Sequence, residues 1–410
     1  MALNFKMSGT PPGTPTASGP PVRGPWPPVL ALGFRPFFLL AGVMATLWIP
    51  MWLMALSGNG GVPRTLPPVD WHRHEMLFGY TLAVVAGFLL TAAQNWTGVP
   101  MPSGGKLLGL VVLWLAGRAV ILGAETLPPG WVAGIDAGFP LAVALALLPG
   151  LWRRRNYRNL GFVPLVLLFA LANLSVHLSW MGLSALSADV ALDFTLNLVL
   201  LIMVVMGGRV IPSFTRNALP QAGVRLSPLL DKTALATVAA LTVVEALPVD
   251  SAGVGVAALL AALANGARLS RWGGWATRGT PLLWVLHLAY GWVVLGLALK
   301  GAAAFLPGVP ASAGAHAITV GGIGLLTLGM MSRVALGHTG RPLRVSSLIV
   351  VAYGLLNLAA LVRVAVPWLS AGAQTGALHT SGMLWSLAFL LFTAVYAPIL
   401  TRPRADGMPG

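Results

Sequence analysis

The chain has 410 residues, of which 57% are hydrophobic and only 9% charged, and its mean hydropathy is +0.82. A soluble domain carries about 25% charged residues, so this composition excludes an ordinary soluble enzyme and implies an integral membrane protein. The formal net charge of +15 looks like a nucleic-acid signal until its placement is read, and the absence of cysteine removes disulfides, thiolate-ligated haem, iron–sulfur clusters and cysteine-based zinc sites.

Residues 1–28 are rich in Pro, Gly, Ser and Thr and have no apolar core, so they read as a disordered cytoplasmic lead-in rather than a signal peptide. Twelve apolar stretches follow, at 29–56, 71–94, 106–123, 131–151, 159–184, 190–211, 228–247, 252–270, 281–303, 312–336, 346–366 and 375–400. Each approaches the roughly 20 residues that a spanning helix needs. The fold class expected is all-α: one polytopic helix bundle over 29–400 and a short cytoplasmic tail over 401–410. The eighth stretch, short and rich in Ala and Gly, is the weakest of the twelve.

Basic residues gather in alternate connections. Arg153, Arg154, Arg155 and Arg158 follow the fourth span, Arg216, Arg225 and Lys232 the sixth, Arg268, Arg271 and Arg278 the eighth, and Arg341 and Arg344 the tenth. The other connections carry acids such as Glu125, Asp189 and Asp250. This positive-inside pattern places both termini in the cytoplasm. It makes the net charge a topology signal and argues against nucleic-acid binding.

Along the chain, the first span carries Arg35 near its inner end, in Gly33-Phe34-Arg35-Pro36-Phe37-Phe38. The second opens with Trp71-His72-Arg73-His74-Glu75-Met76, a polar run where lipid-facing helices should have none. Helix neighbours on one face lie three or four apart, so His72 and His74 point to different sides. His72 shares a face with Glu75. A carboxylate there can orient a ligand imidazole, and Arg73 can neutralise a haem propionate. His177 on the fifth span has Asn173 one turn before it and Met181 one turn after, a set that suits copper. His287 lies in an apolar part of the ninth span. His316 begins the tenth at the depth of His72 and His74, opposite which it can hold a haem. His338, with Arg333 and Arg341, lies at the cytoplasmic end of the tenth, and His379 is interfacial. His72, His74, His177, His316 and His379 thus gather towards the outer side. Asp136, Asp193, Glu245, Arg118 and Arg363 also fall there, as a proton path, a propionate rim or simple ion pairs. Each histidine taken alone is equally compatible with a hydrogen-bonded packing role.

The second, sixth and tenth spans end alike, at Asn95-Trp96-Thr97-Gly98, Gly208-Arg209-Val210-Ile211-Pro212 and Met331-Ser332-Arg333. A period of four spans implies three four-helix repeats. Gly321-Gly322-Ile323-Gly324 reads as a close helix-packing site. There is no Ser/His/Asp triad and no phosphate-binding loop.

The motif at Gly33–Phe38, the Trp71–Tyr80 stretch, Asn95–Gly98, Gly208–Pro212 with Phe214-Thr215, Trp284-Val285-Leu286-His287 and the run from His316 to Arg341 together resemble the NnrS family, over about residues 30–400. Arg73 stands where members of that family often have a small residue. The resemblance implies a bacterial inner-membrane protein with b-type haem and copper, linked to denitrification and to nitric oxide and nitrosative stress. It supplies nitric oxide as the relevant small molecule and an electron donor as a partner. It leaves open which of His72, His74, His316, His177 and His287 bind haem and which bind copper, with Arg73, Glu75, Arg35, Arg333, His338 and Arg341 in support. It also leaves open whether the protein turns over a substrate. The alternatives are a secondary transporter or channel, and a sensor or assembly factor for a respiratory complex.

Overall fold

A computed structural model of the chain describes residues 25–63, 65–247 and 249–410. All regular structure among the described residues is helical. The long helices are α1 (Phe34–Leu56), α2 (Pro68–Thr97), α3 (Gly104–Leu122), α4 (Pro129–Arg153), α5 (Tyr157–Trp180), α6 (Ala188–Ala218), α7 (Pro228–Ala246), α8 (Ser251–Leu269), α9 (Pro281–Ala303), α10 (Ala311–His338), α11 (Ser347–Trp368) and α12 (Ala371–Thr401). Local chemistry sets their ends. Proline, which has no N–H to leave unsatisfied, stands in the first turn of α2, α4, α7 and α9. The Asp250 carboxylate accepts from the Gly253 N–H at 2.8 Å to start α8. Gly98, at φ 66°, ends α2 in the left-handed conformation that glycine adopts without strain.

Eleven of the twelve helices are long and apolar enough to cross a membrane, which makes this a multi-pass membrane protein. The exception is α7, not the α8 expected to be weakest. Alanine and glycine leave α8 apolar, whereas α7 carries Asp231, Lys232 and Glu245. Two of these charges are paired within the bundle. Glu245 takes Lys300 at 2.5 Å and Asn197 at 2.6 Å, and Asp231 lies 3.5 Å from Arg268.

Most sequential helices pack side by side, and α12 returns to pack along α1, which closes the bundle. The period of four seen in the sequence reappears in burial. The helices α2, α6 and α10 have 83%, 72% and 67% of their apolar windows buried, more than any other span. They form the interior, and the rest surround them. Two of the three depart from α geometry in a comparable place: Glu75–Thr81 in α2 and Ala317–Gly324 in α10 are π-helical. Such segments are rare and concentrate at functional sites. In each, the segment directly follows a histidine, His74 in one and His316 in the other.

The segment before α1 was expected to be disordered to residue 28. Residues 1–24 lie outside the described residues, but Pro28–Leu30 forms a 3-10 turn and Trp26 covers Gly104 and Gly105 at the start of α3. The tail after α12 is also held. Arg35 donates to the carbonyls of Leu400 and Arg402 at 3.0 and 2.9 Å, the Ala405 N–H donates to Thr339 at 2.9 Å, and Arg404 donates to the His338 carbonyl at 3.0 Å. The first and last helices therefore share one end of the bundle.

Arg404 also pairs with Asp406 at 2.6 Å, and this hydrogen bond holds the Asp406 carboxyl down at about 2. A depressed carboxylate stabilises the folded tail above its unfolded value of about 3.9. That contribution fades as pH falls through about 2. The pair is partly exposed, so it is worth about 1 kcal/mol or less. Asp406→Asn at neutral pH should therefore speed hydrogen exchange at the Ala405 amide without moving the global unfolding temperature.

Candidate metal centre

The second helix delivers His74 and Glu75 into the interior, both fully buried. Around them stand Arg118 of α3, Asp136 of α4, and Asn173 and His177 of α5, all at most 5% exposed. A charge that deep is tolerable only when paired and hydrogen-bonded, and here the charges interlock. Arg118 forks between the Glu75 and Asp136 carboxylates. The second oxygen of Glu75 accepts from Trp48 Nε1 at 2.8 Å. The second oxygen of Asp136 lies 3.0 Å from both His74 Nε2 and His177 Nε2.

The geometry at His74 has a specific chemical meaning. Its Nδ1 lies 3.1 Å from Glu75 Oε1, so Glu75 can accept the proton there. Nε2 is then left facing Asp136 and His177. An imidazole that gives one N–H to a carboxylate and turns its other nitrogen towards further donors is the usual arrangement of a metal ligand. One ligand atom from each of His74, Asp136 and His177 lies within 4.8 Å of the others. This two-nitrogen, one-oxygen set matches the ligand preferences of copper or zinc. Three buried donor groups close by, Trp71 Nε1, Arg118 Nε and Asn173 Nδ2, have no hydrogen-bond partner among the described residues. The ligand atoms of His74, Asp136 and His177 fit a metal ion, and the same atoms can alternatively share protons. Trp180 packs on both imidazoles, with ring centroids 5.3 Å away in each case, and its Nε1 donates to Asp70 at 3.2 Å.

His72 goes elsewhere, as its offset of two residues requires. Its ring stacks on Trp52 at 4.7 Å, and it shares electrostatic surroundings with His316 and with Arg363 of α11. His316 Nδ1 lies 2.7 Å from the Ser312 carbonyl. Donation to that carbonyl puts the proton on Nδ1 and leaves Nε2 as a free ligand atom. Two candidate sites therefore part at the start of α2: His74, which meets Asp136 and His177, and His72, which stacks on Trp52 within electrostatic reach of His316.

Other residues singled out in the sequence take these partners. Arg73 is held by Asp189 and Asp193 of α6, the latter at 2.5 Å. Glu75 engages His74 rather than His72. The neighbour of His177 at the site is Asp136, not Met181. His287 Nε2 lies 3.4 Å from Thr215 Oγ1 and from the Trp272 carbonyl, in a separate cluster between α6 and α9. Arg35 and Trp48 are thirteen residues apart on α1, about 20 Å at the helical rise, so Arg35 stands far from the Glu75 end. His338, packed against Phe34 at 5.6 Å, shares that distant end with Arg341, which donates to the Thr339 carbonyl at 3.3 Å. Arg333 lies over the Phe214 ring at 3.9 Å, seventeen residues along α10 from His316. His379 Nε2 is 3.3 Å from Ser57.

In the sequence, Asn173 is named beside His177, Asp136 and Arg118 read only as outer-side charges, and Trp180 is not singled out. The signal of Asp136 and Arg118 was present as an acid and a base inside two apolar runs, but nothing in the sequence said that they meet.

No curated protein matches the chain. The family described as NnrS protein matches residues 28–404 and so covers the whole bundle together with both candidate sites. On that match, the chain belongs to the NnrS family.

Proposed function

We propose that this protein is a haem- and copper-binding protein of the bacterial inner membrane that binds or redox-processes nitric oxide, in nitric oxide metabolism or nitrosative-stress defence. The observation that carries the metal reading is the convergence of His74, Asp136 and His177 with Glu75 behind His74. In this reading these three residues hold copper, and His72 and His316 hold a b-type haem with Arg363 available to a propionate. Bound together, the two groups would supply one-electron chemistry and a position for a diatomic ligand.

The chain's own residues do the rest. Glu75 fixes the His74 tautomer and ring orientation, Arg118 offsets the negative charge of Glu75 and Asp136, and Trp180 with Trp48 closes the cluster to water. The distribution of Lys and Arg supports a periplasmic location for this end, within reach of a periplasmic electron donor.

The test is purification in mild detergent after expression with iron and copper supplied, followed by metal analysis and a reduced-minus-oxidised absorption spectrum. His72→Ala and His316→Ala should lose the haem bands and keep copper. His74→Ala and His177→Ala should lose copper and keep the haem bands. Glu75→Gln should weaken copper binding about 10–100-fold, as loss of an outer-shell partner does. Because binding must displace a proton from any protonated imidazole, copper affinity should also fall as pH falls. A preparation without iron or copper overturns the proposal, and haem bands unchanged in both His72 and His316 variants overturn the ligand assignment.

A further inference from the structure

The three interior helices do not close completely. Between α2, α6 and α10 they leave a cavity of about 80 Å³, walled chiefly by Val84, Val199, Met203, Met206, Ile323 and Met330. It opens at the level where both π-helical segments end, since Thr81 is the last residue of one and Ile323 lies in the final turn of the other. A π turn is wider than an α turn and throws the packing register out, which gives the gap a structural cause.

The wall is chemically dry. Thr81 and Thr327 bring the hydroxyl groups that line it, and both are already committed. Thr81 donates to the Met76 carbonyl at 2.7 Å. Thr327 donates to the Ile323 carbonyl at 2.6 Å and lies 2.5 Å from the Tyr80 hydroxyl. A buried water needs roughly two to four polar partners, and without them a cavity of this kind stays empty or takes apolar guests. Its volume is about half that of a dry cavity that accepts benzene or xenon, roughly 150 Å³, so an aromatic ring is too large. Methionine walls adapt to small guests without strain. Phe88, Thr327 and Met330, partly exposed at its margin, mark an opening towards the outside of the bundle, where apolar solutes concentrate in lipid.

We propose that this cavity binds one small uncharged molecule of about the size of a diatomic gas, admitted from the bilayer. Thr81 is bonded to Met76, the residue after Glu75, so the guest lies along the helix that carries His74. The occupancy stands on the cavity alone. Its role as a staging position before the metal cluster rests on the nitric oxide reading.

Xenon is the probe, applied to the full chain in nanodiscs with no copper added and with ¹³C at the methionine methyls. The Met203 and Met206 methyl resonances should shift with xenon pressure and saturate. Met101, buried elsewhere, should not move, and Met383, which is 61% exposed, should change only linearly as xenon dissolves in lipid. Val199→Phe fills the space and should abolish the saturating shift while leaving copper binding intact. Val199→Ile, a milder filling, should weaken it if the larger variant does not fold. Linear shifts throughout, or a saturating shift that survives both fillings, overturn the proposal. Copper-free protein that binds xenon normally, and never takes up copper, overturns the metal reading alone.

Discussion

Arg118→Met should lower the stability of the protein by about 3–5 kcal/mol, the cost of stranding buried charge when one partner is removed. The guanidinium is the positive centre of the buried cluster and holds Glu75 and Asp136, each at most 1% exposed. Methionine fills much of the volume but leaves two carboxylates facing each other in a dry interior. Arg118→Lys keeps the charge and loses the fork that serves both acids at once, so it falls between. Asp136→Asn in the Arg118→Met background should restore part of the loss, because one of the stranded charges goes with it. Added copper should raise the unfolding temperature of Arg118→Met more than that of the parent, since a dication replaces the missing positive charge. Thermal unfolding in detergent reads all four comparisons. An Arg118→Met protein that melts with the parent would remove the electrostatic argument for the cluster.

The second large effect is steric. A Cβ on Gly314 would lie 2.7 Å from the Lys300 backbone nitrogen and 2.9 Å from the Gly296 carbonyl. These are backbone atoms of α9 and cannot rotate away, so the two helices would have to separate. Gly314→Val should cost about 2–3 kcal/mol, the upper part of the range for overpacking. Gly314→Ala should cost less. Because His316 is two residues further along, the shift should also disturb the haem bands, while copper at His74, Asp136 and His177 persists. A haem spectrum insensitive to Gly314→Val would separate His316 from the haem site.

The bundle was legible in the sequence because a bilayer imposes length. Each apolar run of about 20 residues can do little except span. The ranking of the weakest spans failed for a physical reason. Small residues in α8 lower side-chain bulk but not apolarity, while three charges in α7 matter more than its leucines and alanines. The divergence of His72 and His74 was legible from the helical period alone. Their partners were not. Whether Asp136 or Met181 stands beside His177 depends on how α4 and α5 rotate against each other, and Glu75 reaches His74 at the junction where the α geometry gives way to a π segment. A wheel drawn with a single period through the whole of α2 carries no sign of that change. The partners of Arg73 were not legible, because a guanidinium serves a cofactor carboxylate or a protein one equally well. Asp189 and Asp193, one turn apart on α6, make the clamp that takes it.

The interlocked cluster has a consequence for how the chain enters a membrane. Taken alone, the start of α2 presents His72, Arg73, His74 and Glu75 at the edge of the bilayer, and ionisable groups within a spanning helix carry an insertion cost unless paired. Its partners arrive later in synthesis, with Arg118 on α3, Asp136 on α4, His177 on α5 and, for Arg73, Asp189 and Asp193 on α6. The first six helices are therefore best handed to the bilayer as a cohort, with α2 sheltered at the translocon until α6 has emerged from the ribosome.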